Sequence, residues 1–137
     1  PLDESCNQAL SNFLEKDCRL VFIESDEIRQ LDQEYANPGE RTGFSDGFPL
    51  LLISEASLDD LNSRLAEPLP MQRFRPNIVV SDCPAYAEDG WREISINNLR
   101  FSVVKPCSRC VMTTVDQETG ERAGKEPLQT LTKYRRQ

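Results

Sequence analysis

Residues 91–104 alternate apolar and polar side chains on either side of the pair Asn97-Asn98, and this pattern constrains the fold more than any other in the chain. Alternation at period two places successive side chains on opposite faces of a strand. Two asparagines at the midpoint tolerate the left-handed backbone of a two-residue turn. The spacing therefore predicts a hairpin of strands 91–96 and 99–104. It also delivers the chain directly into Lys105-Pro106-Cys107-Ser108-Arg109-Cys110, so the chemistry of that cysteine pair is presented from a strand end.

The remaining apolar runs are short. Cys6, Ala9, Leu10, Phe13 and Leu14 recur at helical spacing behind the capping candidates Asp3 and Ser5, which predicts an amphipathic helix over 4–16 with Cys6 toward the core. Residues 18–23 (CRLVFI) read as a strand, and the polar stretch 24–46 reads as a long loop. Phe48 to Ile53 (FPLLLI) is too brief for a helix. The Ser57-x-x-Asp60 pair opens a helix that Pro68 and Pro70 end. Residues 78–80 and 112–115 read as strands, and Pro127 suits the first turn of a last helix. Strands thus outnumber helices in a β-rich α+β domain spanning 1–137. No apolar stretch approaches the roughly 20 residues that cross a bilayer, so neither a membrane span nor a signal peptide is expected.

Charge and cysteine usage narrow the chemistry. Residues 1–70 hold 5 basic and 15 acidic residues, against 11 and 8 in residues 71–137. The acidic half disfavours nucleic acid, and the basic half suits a small anion such as a phosphorylated cofactor. Five unevenly spaced cysteines do not form a secreted disulfide framework, which favours free thiols in a reducing cytoplasm. The chain has no histidine, which removes the commonest general base and metal ligand and every Ser-His or Cys-His pair. From spacing alone Cys107 and Cys110 can be a redox dithiol, half a zinc site, the source of one metal thiolate, or small buried residues. Zinc would lack a second cysteine pair. A dithiol would lack a helix start, because 111–115 looks extended.

Ordered motifs go beyond that pair. They are Ser45-Asp46-Gly47-Phe48-Pro49 with the apolar run that follows, Glu55-Ala56-Ser57-Leu58, Phe74-Arg75-Pro76-Asn77-Ile78-Val79-Val80, Lys105-Pro106-Cys107-Ser108-Arg109-Cys110, and Thr113-Thr114-Val115-Asp116 through Gly120 to Lys125-Glu126-Pro127-Leu128. On these, residues 44–135 resemble the MOSC domain, named for the C-terminal domain of molybdenum cofactor sulfurase, while 1–43 match loosely. Within that family the closest resemblance is to the mitochondrial amidoxime-reducing branch and to bacterial proteins with the same domain, some fused to a 2Fe-2S ferredoxin module.

The resemblance implies a twisted β-barrel with peripheral helices, its last strands lying beyond this fragment. It also implies a molybdenum cofactor (molybdopterin) whose metal is held by Cys110 rather than Cys107, in a fragment able to stand empty of it. By the same resemblance Arg75 and Ser108 meet the pterin phosphate or pyran, and Asp46, Gly47 and Phe48 line the site. Arg109 adds charge beside the thiolate. Asp46, which would repel a phosphate, either orients groups and delivers protons at the molybdenum or is a plain turn residue ahead of Gly47. The implied activity is reduction of a small N-hydroxylated substrate with electrons from a ferredoxin-like or haem partner. The alternative is a non-catalytic module that binds the cofactor or carries sulfur as a persulfide on Cys110. Asp82 stands where relatives have a glycine ahead of Cys83, which leads us to expect a different local turn.

Overall fold

The computed structural model describes residues 3–122 and 124–135. The chain divides into two compact units, Pro1–Pro49 and Leu50–Gln137.

The first unit is built on helix α1, Glu4–Leu14, started by Asp3, whose carboxylate accepts the Ser5 amide at 2.9 Å. Its buried face is polar. Asn7 is buried and Cys6 is exposed, so Cys6 does not face a core, and Phe13 is 84% exposed. The reason lies in residues 18–23, which form no strand. Asn7 accepts the Leu20 amide at 2.8 Å, and the Ser11 hydroxyl accepts the Cys18 amide at 3.1 Å while donating to its carbonyl at 2.9 Å. Backbone groups that a strand would offer to a sheet are taken by helix side chains, and β-branched composition alone does not make a strand without a partner edge.

Residues 24–46 are irregular, as the sequence predicts, with a single bridge between Gln30 and Arg41. Two side chains organise this loop. Gln30 donates to the Leu31, Asn37 and Glu40 carbonyls and accepts the Gly39 amide. Arg29 donates to the carbonyls of Gly43 at 2.7 Å, Ser45 at 2.5 Å and Asp46 at 3.0 Å. Glycine is required at 39, where φ is +91°.

In the second unit, strand β1 (Leu52–Ser54) runs parallel to β2 (Ile78–Val80), and β3 (Glu93–Ile96) pairs antiparallel with β4 (Leu99–Ser102). The predicted hairpin is present, with Ile96 opposite Leu99 and Asn97 at φ 52° in the turn. Helix α2, Glu55–Asn62, crosses back over β1. Its start lies three residues earlier than the sequence reading, because Ser54 is the cap and its hydroxyl accepts the Ser57 amide at 3.1 Å. Ser57 instead donates to Glu88 at 2.6 Å, and Ser54 reaches the same carboxylate at 3.1 Å. Among the described residues the strands form two two-stranded sheets and do not close into a barrel, so the observed class is mixed α and β. No helix among them is long and apolar enough to cross a membrane.

Helix α3, Leu128–Tyr134, is fastened by its last residues. The Tyr134 and Tyr86 hydroxyls meet at 2.7 Å, Tyr86 donates to Asp60 at 2.8 Å, and Arg135 pairs with Asp89 at 2.7 Å. Each ring is covered by a guanidinium, Arg64 over Tyr134 and Arg135 over Tyr86. Such contacts draw α2, the 3-10 turn Ala87–Gly90 and α3 into one polar cluster.

Candidate functional site

Residues 111–114 decide how Cys110 is held, and they are not the strand that their β-branched composition suggests. Val111–Thr114 is a 3-10 turn with Cys110 as its first flanking residue. The Thr113 hydroxyl donates to the Cys110 carbonyl at 3.0 Å and the Thr114 hydroxyl to the Val111 carbonyl at 2.8 Å. Hydroxyls that bond back three residues favour a tight turn over an extended strand. Both threonines are almost fully buried, at 1% and 0% exposure, while Cys110 is exposed. A thiol thus stands in solvent on a rigidly anchored backbone.

A second 3-10 turn, Met71–Phe74, packs against the first. Arg75 follows it at φ 54°, in the left-handed region, and is exposed with no side-chain partner among the described residues. Ser108 is exposed and its hydroxyl has no partner among them either. Arg109 is partly buried. Its guanidinium donates to the Phe74 carbonyl at 2.6 Å and reaches the Cys107 sulfur at 3.4 Å, with its charge 5.9 Å from the centre of the Phe74 ring. Arg109 therefore ties the cysteine segment to the other turn.

Arg75, Ser108, Arg109 and Cys110 all lie in the second unit, on these two packed turns and the segment between β4 and residue 111. Asp46, Gly47 and Phe48 lie in the first unit. There Asp46 and Gly47 are exposed, and Phe48 sets its ring edge-on to Tyr35 at 6.1 Å. Asp82 adopts φ 57°, in the left-handed region that glycine takes without strain.

Sequence reasoning missed four residues that build the site: Thr113, Thr114, Arg73 and Asp116. Arg73, 5% exposed, pairs with Asp116 at 2.9 Å. The two Asp116 oxygens divide the work. Oδ2 accepts from Arg73, and Oδ1 accepts the amides of Glu118 at 2.9 Å and Thr119 at 3.0 Å. The Thr119 amide, then the Glu118 amide, hold this carboxyl below the usual carboxylate range, with the Arg73 charge adding to them. Hydrogen bonds from Arg64 and Tyr86 lower Asp60 in the same way.

A carboxyl lowered on folding contributes stability that is complete above its ordinary value of 3.8 and is lost as the pH falls below it. The thermal midpoint should therefore be flat from about pH 5 to 7 and drop below about pH 4. In Asp116→Asn, whose amide oxygen still caps the turn, the acid drop should be smaller, as followed by melting across the pH range.

Among the described residues no three Cys, Asp, Glu or His side chains gather as a metal-holding group. A metal at Cys110 must therefore bring most of its ligands with it. Cys110 thus offers an anchored, exposed thiol, and the Arg75 guanidinium and Ser108 hydroxyl are exposed and without partners among the described residues. The family is consistent with that. The MOSC domain model matches residues 39–137, and the chain belongs to the MOSC domain family.

Individual relatives follow from it. The chain is 44% identical over 137 residues to mitochondrial amidoxime-reducing component 1 of Mus musculus and 43% identical over 136 residues to that of Homo sapiens, in each case covering 96% of this chain and 40% of the relative. It is 42% identical to mitochondrial amidoxime reducing component 2 of Bos taurus, covering 93% of this chain and 39% of the relative. The chain thus spans about two fifths of the length of the curated relatives it matches. Their names overturn the cytoplasmic location expected from the free thiols. Reduced cysteines mark a reducing compartment, and that criterion does not separate the cytosol from the mitochondrial interior.

Proposed function

We propose that this chain is part of a molybdenum-cofactor-binding oxidoreductase domain in which Cys110 is the protein's ligand to molybdenum and the whole protein works in the mitochondrion. The observation that carries the reading is the Cys110 thiol, exposed on a backbone pinned by two buried threonines. The donor set fits the cofactor. A thiolate suits a soft-ligand metal site, and the dithiolene of molybdopterin supplies the further sulfurs that the described residues do not gather. When bound, the cofactor supplies the two-electron removal of oxygen from a small N-hydroxylated substrate, the class named by the relatives' amidoxime-reducing titles.

The chain's own residues bind and orient. Arg75 offers a two-pronged guanidinium to the pterin phosphate and Ser108 a hydroxyl donor. The Gly47 and Phe48 amides give donors that are independent of side chain, and the Asp46 carboxylate holds or passes a proton at its Oδ atoms. Arg29, bonded to the Gly43, Ser45 and Asp46 carbonyls, fixes the backbone leading into that turn. Arg109 holds the cysteine segment on the Phe74 turn. Electrons come from a ferredoxin-like or haem protein, or a fused 2Fe-2S module, and the two small sheets become part of a twisted barrel in the longer protein.

Full-length protein purified from a molybdate-supplied host tests this. The expected result is close to one molybdenum per chain and reduction of an N-hydroxylated amidine when a low-potential electron donor is supplied. Stoichiometric zinc without molybdenum would sink the proposal. A persulfide on Cys110 with no molybdenum would replace it with a sulfur-carrier role.

A further inference from the structure

The ion pair between buried Arg73 and partly exposed Asp116 has no part in the chemistry just described, yet it joins the segments that carry Arg75 and Cys110. Arg73 lies two residues before Arg75, and Asp116 lies six residues after Cys110. Nη2 of Arg73 donates to Asp116 Oδ2 at 2.9 Å, while its Nε and Nη1 are buried with no partner among the described residues. A guanidinium with two unspent donors out of water is a poor device for stability, and replacing such a charge by an apolar side chain of similar volume is often neutral or stabilising. Its place between the two turns points to a role other than stability. Arg109 supplies the second link between the same segments, through the Phe74 carbonyl at 2.6 Å. The two ties bracket the Cys110 turn, one on each side, and both end on the Met71–Phe74 turn that leads into Arg75.

We infer that Arg73 and Asp116 are positioning residues that set the separation between the Arg75 guanidinium and the Cys110 thiol, and so the grip on a cofactor whose phosphate and metal they would hold at once. The inference rests on the proposed cofactor role of those two residues. The pair touches neither phosphate nor metal. It acts through the two turns, and its loss should loosen cofactor retention more than it loosens the fold.

The test uses the full-length protein with Arg73→Met, Asp116→Asn and Arg73→Lys, measuring molybdenum per chain and the thermal midpoint of the cofactor-free form. Asp116→Asn keeps the oxygen that caps the 116–120 turn and removes the charge facing Arg73. Arg73→Met should keep the cofactor-free midpoint within a few degrees of wild type while retained molybdenum falls about tenfold, whereas Asp116→Asn, which leaves the buried Arg73 charge unpaired, should lower both. Arg73→Lys, which keeps the charge, should recover part of it. Full molybdenum in Arg73→Met would overturn the inference, as would molybdenum that tracks the folded fraction across all three variants. With molybdenum present in wild type and absent from Cys110→Ala, either result leaves the cofactor reading standing. A wild-type protein without molybdenum overturns both.

Discussion

Cys110→Ala in the full-length protein is expected to abolish molybdenum retention and N-hydroxy reduction together, while Cys107→Ala keeps most of the metal. The two cysteines share a motif and both are exposed, but their surroundings differ. Cys110 has its carbonyl bound by the Thr113 hydroxyl and stands at the first residue of a turn whose threonines are sealed from solvent. Its thiol has no protein partner among the described residues, so it is available as a ligand. Cys107 has its sulfur against Arg109 at 3.4 Å, and its removal leaves Arg109 still bound to the Phe74 carbonyl. Metal analysis of both variants decides the matter. Metal retained by Cys110→Ala and lost from Cys107→Ala would reverse the assignment.

Phe74→Ala should cost about 3–5 kcal/mol of unfolding free energy in denaturant titrations. Leu61 and Phe74 are the buried hydrophobic side chains among the described residues, Phe74 at 6% exposure. Much of the remaining interior is hydroxyl and charge: Ser54, Thr113, Thr114 and Arg73. A domain with so little apolar burial depends heavily on each large side chain, and the hole left by Phe74 would open beneath Arg109. A cost below about 1 kcal/mol would mean that the polar interior, and not the ring, carries this part of the fold.

Much of the architecture is legible in the residues. Alternation around Asn97-Asn98 gives the hairpin, the spacing behind Asp3 gives α1, and the Ile78 to Val80 run gives β2. Each is a local signal in which propensity and tertiary structure agree. Residues 18–23 and 112–115 mislead for one shared reason. In both, neighbouring hydroxyl or amide side chains capture the backbone groups that a strand would use.

The site was less legible. Its exposed residues stand in recognisable motifs, but the contacts that hold them are long-range. Arg73 reaches Asp116 across 43 positions and Arg109 reaches Phe74 across 35. Nothing local in a single sequence announces such pairs. Arg109 illustrates the limit, because its motif position does not announce its bonds to the Phe74 carbonyl and the Cys107 sulfur.

The left-handed backbone of Arg75 also bears on how this surface came to be specified. A residue with a Cβ is held at φ 54° at a cost of about 1 kcal/mol, and a glycine there would close the same turn without it. The side chain that a glycine would delete is the one guanidinium on these two turns left without a protein partner among the described residues. If Arg75 holds the cofactor phosphate as proposed, a variant made by relaxing that backbone with Arg75→Gly would be a scaffold that has lost its anion.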